Sequence, residues 1–269
     1  MGKIDKSKYS KIKLMIELEK LKLQAERYKT ENKIEFFEPF EHQERALGHI
    51  FNGKKTVLLQ GGNRIGKTVL GACVVGMACL GYKPWDKGDS IFGKGPVRVR
   101  VICVDWEHHA AEVVVPALKE WLPVGSYETK KNNTGVDAFW KFRNGSTIEL
   151  MTHVQDTKQH EGWKGNLVWA DEPLPRDKYI ANKRGLVDCG GVFLMTMTAV
   201  YEAWVLDEIV LKNDMSIGCV TEVPMRANPL LKDEDIRNFT VALPDDEVES
   251  RIRGGWLQLS GRVLKEFDR

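Results

Sequence analysis

Short apolar runs alternate along the chain with longer stretches of small and mixed residues, the rhythm of buried strands covered by helices. Thr56 to Gln60 is a β-rich run that enters a glycine-rich loop, and Thr68 to about Leu80 is small and apolar throughout, as a helix packed on a sheet would be. Lys83 to Pro96 holds two prolines and three glycines and reads as a loop or flap. Val97 to Val104 is an apolar strand interrupted by two arginines, and a helix is expected from about His108 to Trp121. Phe139–Phe142, Asn144-Gly145 and Thr147–Thr152 predict a hairpin, because Asn-Gly between β-rich runs favours a tight turn. Leu167–Ala170 and Val192–Thr198 read as two more buried strands. Strands separated by helices predict an α/β fold with a mostly parallel central sheet flanked by helices. Ahead of it, from Lys8 to Lys29, the residues Ile12, Met15, Ile16, Leu18, Leu21, Leu23 and Ala25 mix three- and four-residue spacings among Lys and Glu. That spacing predicts an amphipathic helical appendage.

Composition changes this picture in three places. With 269 residues, 42% of them hydrophobic, the chain is long enough to bury a substantial core. Its net charge is only +2, but residues 1–33 hold nine lysines and one arginine against five acids, so positive charge is concentrated in the arm. Such an arm suits either phosphate or an acidic partner, or is simply solvated. The five cysteines (Cys73, Cys79, Cys103, Cys189, Cys219) form no CxxC pair and read as thiols of a reducing compartment. No apolar run approaches a membrane span and no secretion signal opens the chain, so a soluble, intracellular protein with no membrane partner is expected.

The candidate chemistry sits at strand ends. Gly61-Gly62-Asn63-Arg64-Ile65-Gly66-Lys67-Thr68 fits G-x-x-x-x-G-K-[ST] between a predicted strand and a predicted helix. Backbone amides of such a loop and the positive end of the helix form a concave anion site for the phosphates of ATP. Lys67 reaches the β- and γ-phosphates, and the Thr68 hydroxyl is placed to ligate Mg²⁺. Leu167-Val168-Trp169-Ala170-Asp171-Glu172 is an apolar strand ending in two carboxylates. Asp171 would face the bound Mg²⁺, and Glu172 would polarise the attacking water.

Other residues carry two readings each. Arg64 either reaches the γ-phosphate in cis or makes a structural salt bridge. Gln43, ahead of the first strand, either recognises the adenine edge or is an exposed helical residue. Thr196 and Thr198 either sense the γ-phosphate and couple its loss to a neighbouring segment or are ordinary strand formers. His108, His109, His153 and His160 show no metal spacing, and the adjacent pair reads as the start of a helix.

Taken in order, these motifs resemble the ATPase half of the large terminase subunit, the DNA-packaging motor of tailed bacteriophages. The resemblance rests on Gly61–Thr68 and on Val168-Trp169-Ala170-Asp171-Glu172-Pro173. It is extended by Phe193-Leu194-Met195-Thr196-Met197-Thr198, similar to the family's coupling motif, and by Asn228-Pro229-Leu230-Leu231, similar to its lid. Arg253-Gly254-Gly255-Trp256 and Gly261 to Asp268 resemble the junction before its nuclease domain. The resemblance implies an ASCE-type, RecA-like P-loop NTPase divided into a basic helical arm (1–35), an ATPase core (36–210) and a lid and linker (211–269). It further implies a homo-oligomeric ring on a portal protein, served by a small terminase subunit, that drives double-stranded DNA into a procapsid in the host-cell cytoplasm.

Two departures from the family pattern stand out. The chain ends where an RNase H-like nuclease would begin, so no DNA cleavage is expected of it. Where many members carry an arginine that acts on a neighbour's γ-phosphate, this chain has Glu161; Arg143, Lys158, Lys164 and Arg176 are the remaining candidates for that role. A helicase-like or remodelling ATPase and a nucleotide-gated binding switch are the alternative functions.

Overall fold

The computed structural model describes residues 6–199, 203–212 and 214–256; the Gly261–Asp268 part of the junction lies outside them. In chain order the α-helices are α1 (Lys6–Glu31), α2 (Glu41–Phe51), α3 (Lys67–Leu80), α4 (Val115–Trp121), α5 (Thr157–His160), α6 (Arg176–Arg184), α7 (Asp233–Val241) and α8 (Asp245–Val248). The strands are β1 (Thr56–Gly61), β2 (Tyr82–Lys83), β3 (Gly88–Asp89), β4 (Arg98–Cys103), β5 (Tyr127–Lys131), β6 (Asp137–Phe142), β7 (Thr147–Thr152), β8 (Leu167–Asp171), β9 (Val192–Met197) and β10 (Ile217–Val223).

Eight strands form the central sheet in the order β10-β1-β9-β8-β4-β7-β6-β5. From β10 to β7 every pairing is parallel, and only β6 runs against its neighbours. β9 lies between the strand that enters the phosphate loop and the strand that ends in the two acids. This is the strand order expected of an ASCE-type P-loop fold.

Side-chain alternation explains why these strands read as continuous apolar runs. Val57 and Leu59, Leu167 and Trp169, Val192 and Leu194 join the core under α2, α3 and α4. Leu58, Val168, Ala170, Phe193 and Met195 join the core on the opposite face, beneath α6. A strand buried on both faces needs no polar alternation. α3 is apolar all round because it is buried all round, and Gly71 is where it touches the sheet: a Cβ there would lie 1.9 Å from Trp169 Cε2.

Three expectations need correction. α1 is a helix and an appendage, but it is not amphipathic: Ile12, Leu14, Met15, Ile16, Leu18, Leu21 and Leu23 are all exposed. At about 100° per residue Leu14 and Ile16 point to nearly opposite sides, so the three- and four-residue spacings never gather on one stripe. The core also continues past residue 210, because β10 is hydrogen-bonded to β1. The helix expected from His108 begins at Trp106 and is π-helical through Val114 before α4 continues it. The hairpin is as expected, with Gly145 at φ +88° in its turn.

Candidate active site

β1 delivers the chain into the loop, and the loop's outer half is tied down by backbone partners. The amide of Gly62 donates to Val223 O at 2.8 Å and that of Asn63 to Arg251 O at 2.7 Å. Among the described residues the amides from Arg64 to Thr68 have no loop or side-chain acceptor, the condition an anion cradle requires. Gly66 takes φ +82° at the N-terminus of α3, and a Cβ there would lie 2.6 Å from Gln43 Nε2. Arg64 also holds a left-handed backbone, φ +61°, which costs a non-glycine residue about 1 kcal/mol or more.

Lys67 folds back over this loop and donates to the carbonyls of Gly62 at 2.7 Å and Gly61 at 3.1 Å. Burial lowers its pKa, against the charges of Glu172 and Asp171. The acid strand faces it. Asp171 has the parity of Leu167 and Trp169 and so projects to the α3 face, where its Oδ2 accepts from the Thr68 hydroxyl at 2.9 Å. Thr196 is its register partner on β9 and donates to Asp171 Oδ1 at 2.7 Å, while Trp169 Nε1 donates to Thr196 Oγ1 at 2.8 Å.

Glu172 is the first residue past β8. Its φ of +73° turns the chain, its amide donates to Thr196 O at 2.7 Å, and its Oε2 accepts from the Thr198 amide at 2.9 Å. Burial and the charge of Asp171 raise its pKa above the ordinary carboxylate value, opposed by Lys67.

A cleft of about 930 Å³ opens beside the loop. Its walls include Phe40, Asn63, Arg64, Lys67, Thr68, Glu172 and Thr198, with Glu112, Pro116 and Trp121 from the segment running into α4. The hydroxyl of Thr68 and the carboxylate of Asp171, meeting at the mouth of the cradle, are a hard oxygen donor set that suits Mg²⁺. Arg64 is exposed and lines this cleft, with no side-chain bond among the described residues, while its carbonyl accepts from Asn228 Nδ2 at 2.6 Å. Ile65 is fully buried, with its carbonyl 2.7 Å from His42 Nε2.

Some predicted residues take a different place from the one expected. Gln43 is buried, not exposed: its Nε2 donates to Gly66 O at 2.8 Å and its Oε1 accepts from the Phe40 amide at 2.8 Å. It braces the phosphate loop, which leaves one amide hydrogen for a base. Thr196 is fully buried behind Asp171, and Thr198, in the cleft wall, is hydrogen-bonded to Glu172. Arg143, Lys158, Lys164 and Arg176, the candidates for reaching a neighbour's γ-phosphate, lie away from this chain's own cleft, as a residue acting on a neighbour would, and Lys164 and Arg176 are paired at the surface with Asp188 and Glu208.

Sequence reasoning missed His109. Asp105 caps the helix, accepting from the amides of His108 at 2.6 Å and His109 at 3.2 Å, and the His109 ring then reaches Asp171 Oδ2 at 3.3 Å. Burial opposes a charge on this ring, but Asp171 and Glu172 outweigh it and raise the pKa. Adjacent histidines after an aspartate signalled a helix start; nothing in their spacing pointed to β8.

No protein-family model and no curated protein matches the sequence. Solved structures do. The large terminase of a thermophilic bacteriophage superposes with a TM-score of 0.63 at 15% identity, over 82% of this chain and 54% of that one. Its complex with ADP gives a TM-score of 0.62 at 15% identity over 82% and 54%. Its complex with ATP-γ-S gives 0.55 at 16% identity over 82% and 53%. The chain thus spans about half the length of these structures, and over that half it shares the fold of a large terminase.

Proposed function

We propose that the chain is an ATPase domain of the large terminase type, converting MgATP and water to ADP and phosphate to move double-stranded DNA. The observation that carries the reading is the Thr68–Asp171 hydrogen bond of 2.9 Å, which joins the phosphate loop to the acid strand below amides that have no acceptor among the described residues. Support for the motor role is the fold shared with the thermophilic phage's large terminase, a protein solved with ADP and with ATP-γ-S.

Each residue then has a task. Amides of Arg64 to Thr68 receive the phosphates, and Lys67 exchanges the Gly61 and Gly62 carbonyls for phosphate oxygens, which restores the charge that burial disfavours. Thr68 and Asp171 would hold Mg²⁺, which when bound draws charge from the phosphate oxygens. Glu172 orients the water and accepts its proton; a raised pKa brings it closer to a base matched to neutral pH. Thr198, whose amide holds Glu172, feels any movement of that carboxylate, and the Asn228 side chain on Arg64 O links the loop to the segment after β10. Arg64 lines the cleft as the candidate for stabilising charge on the transferred phosphoryl group.

The finer assignment extends to a homo-oligomeric ring on a portal protein, with a small terminase subunit as partner, acting in the host cytoplasm. It is tested by phosphate release from MgATP with wild-type and Lys67→Ala protein, with and without duplex DNA, over a range of protein concentrations. Wild-type turnover that rises with DNA and concentration, and falls to background in Lys67→Ala, is expected. Turnover equal in both proteins removes the site, and turnover indifferent to DNA in the portal-bound assembly removes the motor.

A further inference from the structure

The proposed tasks for Asp171 use both of its oxygens but leave one neighbour unexplained. Oδ1 is fixed by Thr196, a residue of the adjacent strand. Oδ2 accepts from Thr68 and also lies 3.3 Å from His109 Nε2, although His109 belongs to neither the phosphate loop nor the central strands. It stands in the π-helical segment between β4 and α4, where Glu112 and Val113, with Pro116 of α4, form a wall of the cleft.

The ring's orientation is determined at its other nitrogen. The backbone amide of Val104 donates to His109 Nδ1 at 2.9 Å. A backbone N–H has only a donor role, so Nδ1 must present its lone pair, and the ring proton of the neutral imidazole must be on Nε2. That nitrogen lies 3.3 Å from Asp171 Oδ2. The segment's π-helical pitch and the Asp105 cap place residue 109 at this point, and local widening of a helix of this kind is frequent at functional sites.

Resting on the ATPase reading above, we infer that His109 is a positioning residue for Asp171, a tautomer-locked donor that keeps the carboxylate aimed at the metal. A hydroxyl has one O–H and two lone pairs, so Thr68 can bind a cation through its oxygen while still donating to Asp171 Oδ2. His109 is a further donor to that same oxygen, reaching it from outside the loop and the strands. It also ties the α4 wall of the cleft to the acid strand, so wall and metal site keep one relative position. Ligand-orienting hydrogen bonds of this type typically change metal affinity or activity by about 10- to 100-fold when removed.

The test uses the full chain and two variants, His109→Ala and His109→Gln, the second retaining an N–H near the position of Nε2. Fluorescent ADP binding is titrated with Mg²⁺, and ATP turnover is measured across Mg²⁺ concentrations. His109→Ala is expected to need about 10-fold more Mg²⁺ in both assays, to bind the metal-free nucleotide as wild type does, and to be largely rescued in His109→Gln. Nitrogen-15 NMR of the wild-type ring, assigned by its loss in His109→Gln, is expected to show an unprotonated Nδ1 and a protonated Nε2. An unchanged Mg²⁺ requirement in folded His109→Ala, failure of His109→Gln to rescue it, or a protonated Nδ1 overturns the inference. Wild-type protein that binds no MgADP sinks the ATPase reading itself, and this inference with it; wild-type binding with an indifferent His109→Ala removes the inference alone.

Discussion

Two buried polar clusters flank β4 and β8, and they differ in one respect. Around Arg100 every strong donor and acceptor is matched: the guanidinium donates to Glu149 Oε2 at 2.8 Å, His160 O at 2.8 Å and Asn182 Oδ1 at 3.0 Å. Asn182 Nδ2 stands 3.0 Å from His160 Nδ1, and His160 Nε2 stands 3.2 Å from Thr152 O, so the imidazole is locked there as well. The Trp163 ring covers the guanidinium at 4.7 Å. Around Lys67 and Asp171, both buried, the amides from Arg64 to Thr68 have no acceptor among the described residues, and Arg64 and Glu172 hold left-handed backbone. A closed network fixes a fold, whereas an incomplete one carrying strain is prepared for a ligand that completes it.

The difference is sharpest if the two clusters are broken separately. Glu172→Gln should lower turnover by about 10²- to 10⁴-fold with MgADP binding retained, as read by phosphate release and nucleotide titration. Retained turnover would place the base elsewhere. Arg100→Leu should do the converse, destabilising the fold by about 3 kcal/mol because Glu149, His160 O and Asn182 lose their donor, with turnover per folded molecule unchanged. Urea midpoints and active-site titration would read both quantities.

A pH prediction follows from His153, whose Nε2 is a buried nitrogen with no partner among the described residues. Burial, helped by the nearby positive charge of Lys178, lowers its pKa from the ordinary 6.5 to about 4. Between those values the unfolded chain binds the extra proton, so stability rises with pH across that window and is lost toward acid. His153→Gln should therefore show a shallower decline between pH 6.5 and 4 in urea melts. His42 and His160, lowered by burial in the same sense, keep some slope in place. The smallest effect is expected at α1: removing residues 1–25 should change stability by less than about 0.5 kcal/mol, since the apolar side chains of Ile12 to Leu23 are exposed. A larger shift in thermal unfolding would show that the arm contributes to the core.

Much of the fold was readable because buried strands and a strand–loop–helix motif are local signals. The runs at Val192–Met197 and Leu167–Asp171 are continuous because both faces are covered, and Gly61–Thr68 carries its own chemistry in its spacing. β10 escaped notice because Ile217–Val223, at the sheet edge, mixes Gly218, Thr221 and Glu222 with its apolar residues. The arm misled for a physical reason as well: counting three- and four-residue spacings detects neighbours but not whether successive pairs add up on one side.

The sequence by itself picked out the residues proposed to meet phosphate, metal and water, because the loop is a run of consecutive amides and the acids end one apolar strand. Only tertiary structure decided how those residues are held. Gln43 against Gly66, Thr196 behind Asp171, Arg251 and Asn228 on the loop, and His109 beside the carboxylate join positions far apart in the chain. Their side chains carry no periodic signal, since a hydrogen bond across a sheet edge is specified by where strands and helices pack, not by spacing along either one.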